Sequence, residues 1–169
     1  MPRYPREEME TMVARWIEAN QKAEREGNWR PLADFYTEDA YYSWDIPGGL
    51  YEARGRENIR TTCLGDAMDP YFGWHYPYDK VVIDDTKGEV MVTWYQVGPT
   101  DKRRPDGSEY KVIGASWFEY AGNYQWSRQR DLYDFGKTMA LIDELAELGV
   151  LSELAMERKR QRDAACKKQ

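Results

Sequence analysis

Two side chains in this sequence, His75 and Asp45, have the chemistry and the surroundings for proton transfer. His75 is the only histidine and stands in the aromatic run Tyr71-Phe72-Gly73-Trp74-His75-Tyr76. Histidine can take and return a proton at neutral pH, which a β-elimination requires. A histidine satisfied by a backbone carbonyl is the bland alternative. Asp45 follows Tyr42-Ser43-Trp44 and precedes Ile46-Pro47. A carboxylate among aromatic rings loses hydration and becomes a stronger base, whereas an aspartate before proline also serves as a turn residue that binds nearby backbone N–H groups. Asp131, in Arg130-Asp131-Leu132-Tyr133-Asp134, reads on these residues alone as a buried, paired carboxylate.

Other chemistries find little support. Gly48-Gly49 and Gly107 are turn glycines and no Gly-rich loop opens a helix after a strand, so no nucleotide cofactor is expected. There is no nucleophile elbow. Asp66, Asp69, Asp79, Asp84 and Asp85 lack metal-loop spacing, and one histidine with two distant cysteines, Cys63 and Cys166, supports neither a metal centre nor a disulfide framework. We therefore expect no cofactor and no metal. The formal charge of −6 argues against a nucleic-acid partner. No apolar run approaches the roughly 18 residues of a membrane helix, and MPRYPREEMET lacks a signal-peptide core. A soluble cytoplasmic protein is the expectation.

The elements that must position these groups follow from periodicity. At 169 residues the chain suits one domain. Met9, Val13, Trp16, Ile17, Ala19 and Ala23 mark an amphipathic helix over 6–25 ended by Gly27. Asn28 caps a short second helix with Pro31 in its first turn and Leu32, Phe35 and Tyr36 facing inward. Strands are predicted over 40–44, 75–83, 89–97, 109–120 and 124–131, with turns at 46–49, 85–88, 99–108 and 121–123 and a short helix over 54–63. Met139, Ile142, Leu145, Leu148 and Leu151 predict a closing helical segment interrupted by Gly149. The domain is assigned to 1–156. Residues 157–169 carry six basic side chains against two acidic ones, and read as a frayed, solvated basic helical tail. Aromatics are 14% of the chain, with 13 Tyr and 7 Trp but only 4 Phe. Rings with polar tips suit a cavity for a bulky ligand or a wet subunit interface.

This α+β order resembles the nuclear transport factor 2-like, or SnoaL-like, superfamily. The resemblance is carried by Phe35-Tyr36-Thr37-Glu38-Asp39-Ala40, the Gly55-Arg56 helix start, residues 113–118 and residues 130–135, and covers roughly residues 10–145. It implies a cone: a curved, mostly antiparallel sheet wrapped around N-terminal helices, with an apolar pocket at its open end and a C-terminal helix. His75 is similar in position to the catalytic histidine of the family's dehydratases. The carboxylate that orients that histidine falls on Arg25 here, between Glu24 and Glu26, so Glu24 serves only if the helix register shifts. Asp45 lies one residue beyond the general base of the family's ketosteroid isomerases. Asp131 and Tyr42 match an aspartate and a water-positioning tyrosine of its epoxide hydrolases, but the completing Arg-x-Asp is Trp94-Tyr95-Gln96 here, which disfavours epoxide hydrolysis. By the same resemblance Trp94, Gln96, Val112, Gly114 and Ser116 point inward, Gly114 and Ser116 leaving room opposite Trp94.

The resemblance thus implies a cofactor-independent lyase on a bulky aromatic or polycyclic molecule, such as a lignin-derived diaryl compound, a steroid or a polyketide. His75 would be the base, with Asp45, Tyr42, Tyr36 and Asp131 assisting and Trp44, Trp74, Trp94, Gln96 and Tyr133 lining the site. An isomerase, or a non-catalytic ligand-binding protein of the same fold, is the alternative. Met91, Thr93, Tyr95, Ile113, Ala115 and Trp117 form the other sheet face, too apolar for free exposure, and imply a homodimer or homotrimer.

Overall fold

A computed structural model describes residues 2–166, apart from the Cys166 side chain; Lys167 and Lys168 of the basic tail lie outside the described residues. Helix α1 (Arg6–Glu26) buries Met9, Met12, Val13, Trp16, Asn20 and Ala23, a stripe at the three-to-four spacing of one helix face. It stops at Gly27, whose φ of 64° lets its N–H return to the last-turn carbonyls of Ala23 and Glu24. A 3-10 turn, Arg30–Phe35, then feeds the first strand and buries Leu32 and Ala33. The N-cap is Trp29 rather than the expected Asn28, which accepts from the Arg30 N–H at 3.2 Å one residue ahead of it.

Six strands follow: β1 (Tyr36–Ile46), β2 (Gly49–Arg54), β3 (Tyr78–Asp84), β4 (Glu89–Val97), β5 (Lys111–Gly122) and β6 (Gln125–Tyr133). Their order in the sheet is β2-β1-β6-β5-β4-β3, antiparallel throughout except for the parallel pair β1 and β6. Register shifts interrupt β1/β6 between Tyr36 and Tyr41, β3/β4 between Tyr78 and Lys80, and β5/β6 at Tyr120. Such bulges bend a sheet, and this one is bent around α1. Trp16 of α1 meets Phe35, Tyr36, Phe118 and Trp126 edge to face, with ring centroids 5.4 to 6.4 Å apart. That cluster is the centre of the core.

Several boundaries differ from the periodicity reading. The first strand begins at Tyr36 because Tyr36 and Ala40 are already buried on its inner face. The turn at 46–49 leads into β2, a strand that the periodicity reading did not predict: it left 50–53 unassigned and gave Gly49 to the turn and Arg54 to the helix. The helix predicted over 54–63 starts and ends later and is mostly not α: α2 (Arg56–Asn58) widens into a π-helical stretch, Ile59–Asp66. The strand predicted from residue 75 starts at Tyr78, since Pro77 has no N–H to donate; His75 makes only an isolated bridge to Val97. Beyond α3 (Phe135–Glu147), which Asp134 caps by accepting from the Lys137 N–H at 3.0 Å, a second helix α4 (Glu153–Cys166) runs unbroken through residue 157. Residues 157–166 of the predicted tail are therefore helix, with Lys159, Arg162 and Asp163 half-buried. Ser152 fastens its start by donating to the Pro70 carbonyl at 2.7 Å and accepting from the Ala155 N–H at 3.1 Å.

Cross-strand pairing sets the two sheet faces. Trp94 stands opposite Gly114, and Val92 opposite Ser116, on the inner face. Met91 opposite Trp117 and Tyr95 opposite Ile113 share the outer one, where Ile113 is 53% exposed and Val82 64%. The space opposite Trp94 is not open. A Cβ on Gly114 would fall within van der Waals distance of the Trp94 indole, so the ring itself fills the gap that a missing side chain leaves. Gly114→Leu must displace that ring, and we expect it to lower the unfolding free energy by about 1–3 kcal/mol, as overpacking does. A denaturant midpoint equal to that of the wild type contradicts this packing.

Candidate active site

A cavity of about 370 Å³ opens between the concave sheet face, the π-helical stretch, the loop through Trp74, and helices α3 and α4. Its wall is mostly aromatic: Trp16, Trp29, Tyr42, Trp44, Tyr71, Trp74, Tyr76, Tyr78, Trp94 and Tyr133 all reach it. One ionisable acid does so from the sheet, Asp131 of β6.

Asp131 is enclosed by neutral donors. The Ser116 hydroxyl donates to its Oδ1 at 2.6 Å, the Gln129 amide to the same oxygen at 2.8 Å, and the Tyr42 hydroxyl to Oδ2 at 2.6 Å. Two of the donors are themselves oriented. Trp94 Nε1 donates to Ser116 Oγ at 2.9 Å, which leaves the serine proton for Asp131. The Tyr36 hydroxyl donates to Gln129 Oε1, which turns the amide N–H₂ toward the carboxylate. All three chains end on Asp131 as the acceptor, the pattern of an ionised carboxylate. Burial pushes its pKa up from the usual 3.8, while the bonds from Gln129, Ser116 and Tyr42 pull it back. A carboxylate has about four lone-pair sites, so three bonds leave one on Oδ2. Burial first, and the Asp131 charge second, lift the Tyr42 phenol well above its ordinary value. It stays protonated and donating.

The other predicted site residues divide. Tyr42, Trp44, Trp74, Trp94, Gln96, Ser116, Asp131 and Tyr133 line the cavity. Tyr36 stands behind it, fully buried, and acts only through Gln129. Val112 packs beside Leu141, Ile142 and Leu145, and Gly114 is covered by Trp94, so neither reaches the cavity. Asp45 is at an edge: its side chain is 60% exposed and pairs with Arg130 at 3.1 Å, because β2 turns back just beyond it. His75 lies outside the cavity, its side chain 65% exposed, on a separate depression lined by Asn20, Gln21, Glu24 and Asp79. Glu24 does face it, Oε2 lying 3.5 Å from His75 Nδ1, and Oε1 accepts from the Tyr76 N–H at 2.7 Å. The carboxylate thus sits at residue 24 of α1, one before the position the resemblance implied. Gln129 is absent from the residues that sequence patterns single out, although it stands two before Asp131 on a strand and so shares its face. Cys63 is buried, and burial pushes its thiol up to about 12, which excludes a resting thiolate. No group of His, Cys, Asp and Glu among the described residues could hold a metal ion, and no described helix is long and apolar enough to cross a membrane.

No protein-family profile matches the sequence, and no curated protein does. Solved structures do match. A protein from Anabaena variabilis described as NTF2-like aligns with a TM-score of 0.59 at 15% identity, over 79% of this chain and 95% of that one. The chain has the NTF2-like fold. A Catenulispora acidiphila protein with a ketosteroid isomerase-like fold, solved in complex with trimethylamine, aligns with a TM-score of 0.57 at 18% identity, over 77% of this chain and 90% of that one. A de novo designed protein with a curved β-sheet gives 0.56 at 15%, over 83% of this chain and 96% of that one. At these identities the likeness concerns the fold alone, and the residues on the cavity wall are this chain's own.

Burial of an ionised Asp131 costs folding free energy, and the sign can be measured. Because its folded pKa is raised, its contribution is most favourable below about pH 4, the unfolded value, and is lost as pH rises through the folded one. We expect the stability of the wild type relative to Asp131→Asn to fall over that rise in denaturant titrations at successive pH values. Parallel stability curves contradict the shift.

Proposed function

We propose that the chain is a cofactor-independent enzyme that moves a proton on a bulky aromatic or polycyclic small molecule, with Asp131 as its general base. One observation carries this reading: three donors converge on a buried carboxylate that still has a lone pair to offer, in the wall of an aromatic cavity. Loss of water raises the basicity of that carboxylate, and Tyr42, Ser116 and Gln129 hold it in one orientation without neutralising it.

Asp131 takes a proton from carbon beside an electron-withdrawing group. The developing oxyanion needs donors, and the Tyr76 and Tyr133 phenols, both on the wall, supply them. Burial lifts both above the ordinary tyrosine value, so both keep their protons. Tyr76 accepts from Gln96 Nε2 at 3.5 Å, which leaves its own O–H to donate. Returning the proton from Asp131 to a second carbon completes an isomerisation with one base. A dehydratase reaction uses the same first step, with a phenol protonating the departing hydroxyl to water; a formaldehyde-releasing lyase instead takes the proton from the hydroxymethyl O–H, so that the C–C bond breaks and its electron pair passes into the conjugated ring system. The isomerisation is the better fit, since elimination is favoured by an imidazole in the cavity and His75 lies elsewhere. Steroids, polyketides and diaryl propanes are the ring systems to try.

The apolar outer face, with Met91, Ile113 and Val82 exposed, supports assembly into a homodimer or homotrimer. Sedimentation at micromolar concentration tests it, a monomer being the contrary result.

Turnover without added cofactor should fall by about 100-fold or more in Asp131→Asn and stay within about threefold of wild type in His75→Ala, both folded by circular dichroism. An inactive His75→Ala beside an active Asp131→Asn would transfer the chemistry to the Glu24 and His75 depression. A wild-type protein that binds these ring systems but turns over none is a binding protein instead.

A further inference from the structure

The basic helix whose composition suggests a solvated tail instead walls the cavity. Arg158, Lys159 and Arg162 of α4 all line it. Two carboxylates answer the three cations. Lys159 Nζ pairs with Asp163 at 2.6 Å and Asp143 at 3.1 Å; the Arg162 guanidinium bonds the same two, reaching Asp163 at 2.7 and 2.9 Å. The third cation, Arg158, is exposed and lies within the field of the Asp69 carboxylate. Arg158 makes no ion pair among the described residues and donates only to the Asp66 carbonyl. The outer nitrogen of Arg162 that is not used on the carboxylates has a single partner, the Met139 thioether at 3.2 Å, a weak acceptor.

Two further donors on the same wall have no partner at all. Trp74 Nε1 and Thr138 Oγ1 are buried without a hydrogen bond among the described residues, in side chains 1% and 4% exposed. A buried polar group left unpaired is destabilising, and native proteins keep few of them. Thr138 and Met139 are neighbours on α3, and Trp74 packs against Leu141 and Ile142 of the same helix, so these donors gather at the α3 and α4 side of the cavity. Asp131 does not belong to this group: its surroundings are burial and three neutral donors, whereas Arg158 and Arg162 act on the Tyr71 phenol. The cavity therefore has two poles. One is an accepting carboxylate on the sheet; the other is a set of donors on the helices that includes a guanidinium without an ion-pair partner among the described residues.

We propose that the molecule held here is an aromatic or polycyclic carboxylate, its ring in the aromatic cavity and its carboxylate among Arg158, Arg162, Trp74 and Thr138. The planar guanidinium fork fits a carboxylate better than a point cation would, and an anion satisfies donors that water alone would leave on an apolar wall. This inference rests on the cavity being the substrate site, and it adds the charge of the substrate to the ring system proposed above.

The test is calorimetric titration of the full chain with 2-naphthoate and with 2-naphthamide, which has the same ring and no charge. Naphthoate should bind about 10-fold more tightly, and the preference should vanish in Arg158→Gln and shrink in Thr138→Val. Arg158 is bound to the rest only through one backbone carbonyl, so its replacement leaves the helix in place. Equal affinities, no binding of naphthoate up to about 1 mM, or a preference kept by both variants overturns the proposal. The outcome separates from that of the catalytic reading. A naphthoate preference with an active Asp131→Asn removes the base and keeps the anion site, and equal binding with an inactive Asp131→Asn does the reverse.

Discussion

A carboxylate without a counter-ion in the wall of an apolar cavity has to be satisfied by neutral donors, and much of this chain is arranged to supply them. Ser116 is the cross-strand partner of Asp131 on β5, while Tyr42 and Trp44 on β1 stand opposite Gln129 and Asp131 on β6. Three adjacent strands must keep register for the three bonds to form. A slip of one residue in either ladder would turn Ser116 or Tyr42 to the other face and take one of its three donors from the buried Asp131. The second layer, Trp94 behind Ser116 and Tyr36 behind Gln129, extends the demand to β4 and to the end of the 3-10 turn. Local register and the chemistry of the site are thus one constraint.

The excess of tyrosine and tryptophan over phenylalanine follows from the same requirement. Rings fill the cone, but a cone with a polar site inside also needs hydrogen-bonding groups at depth. Trp16 donates to the Tyr78 hydroxyl at 2.8 Å, Tyr120 donates to Glu8, and Tyr36 and Tyr42 serve the Asp131 network. Phenylalanine could fill those volumes and could do none of that bonding. The two conspicuous exceptions on the cavity wall, Trp74 Nε1 and Thr138 Oγ1, are for that reason informative about what the cavity receives.

Strand alternation makes part of this arrangement legible in the amino-acid sequence. Placing Trp94 inward places Gln96 and Ser116 inward with it, and the ladders agree. Alternation fails where position depends on something other than period. His75 follows a loop and stands two residues before a proline, so its direction is set by the isolated bridge to Val97 rather than by a strand. Asp45 has the right neighbours but lies where β1 turns into β2, and the hairpin carries it to solvent beside Arg130. Gly114 suggests open space in the sequence, but a neighbouring indole occupies it. Composition hides the basic face of α4: a run of Arg and Lys looks solvated until Asp143 on α3 and Asp163 beside it draw it inward.

The central claim is the state of one carboxyl group, and carbon-13 NMR of the aspartate side-chain carbons across a pH titration reads it directly. The signal missing from Asp131→Asn identifies the residue. The account predicts that this carbon titrates above the ordinary value of about 4 in the wild type and higher still in Tyr42→Phe, which loses one stabilising donor. A titration at or below the ordinary value, or one that Tyr42→Phe leaves in place, would contradict it.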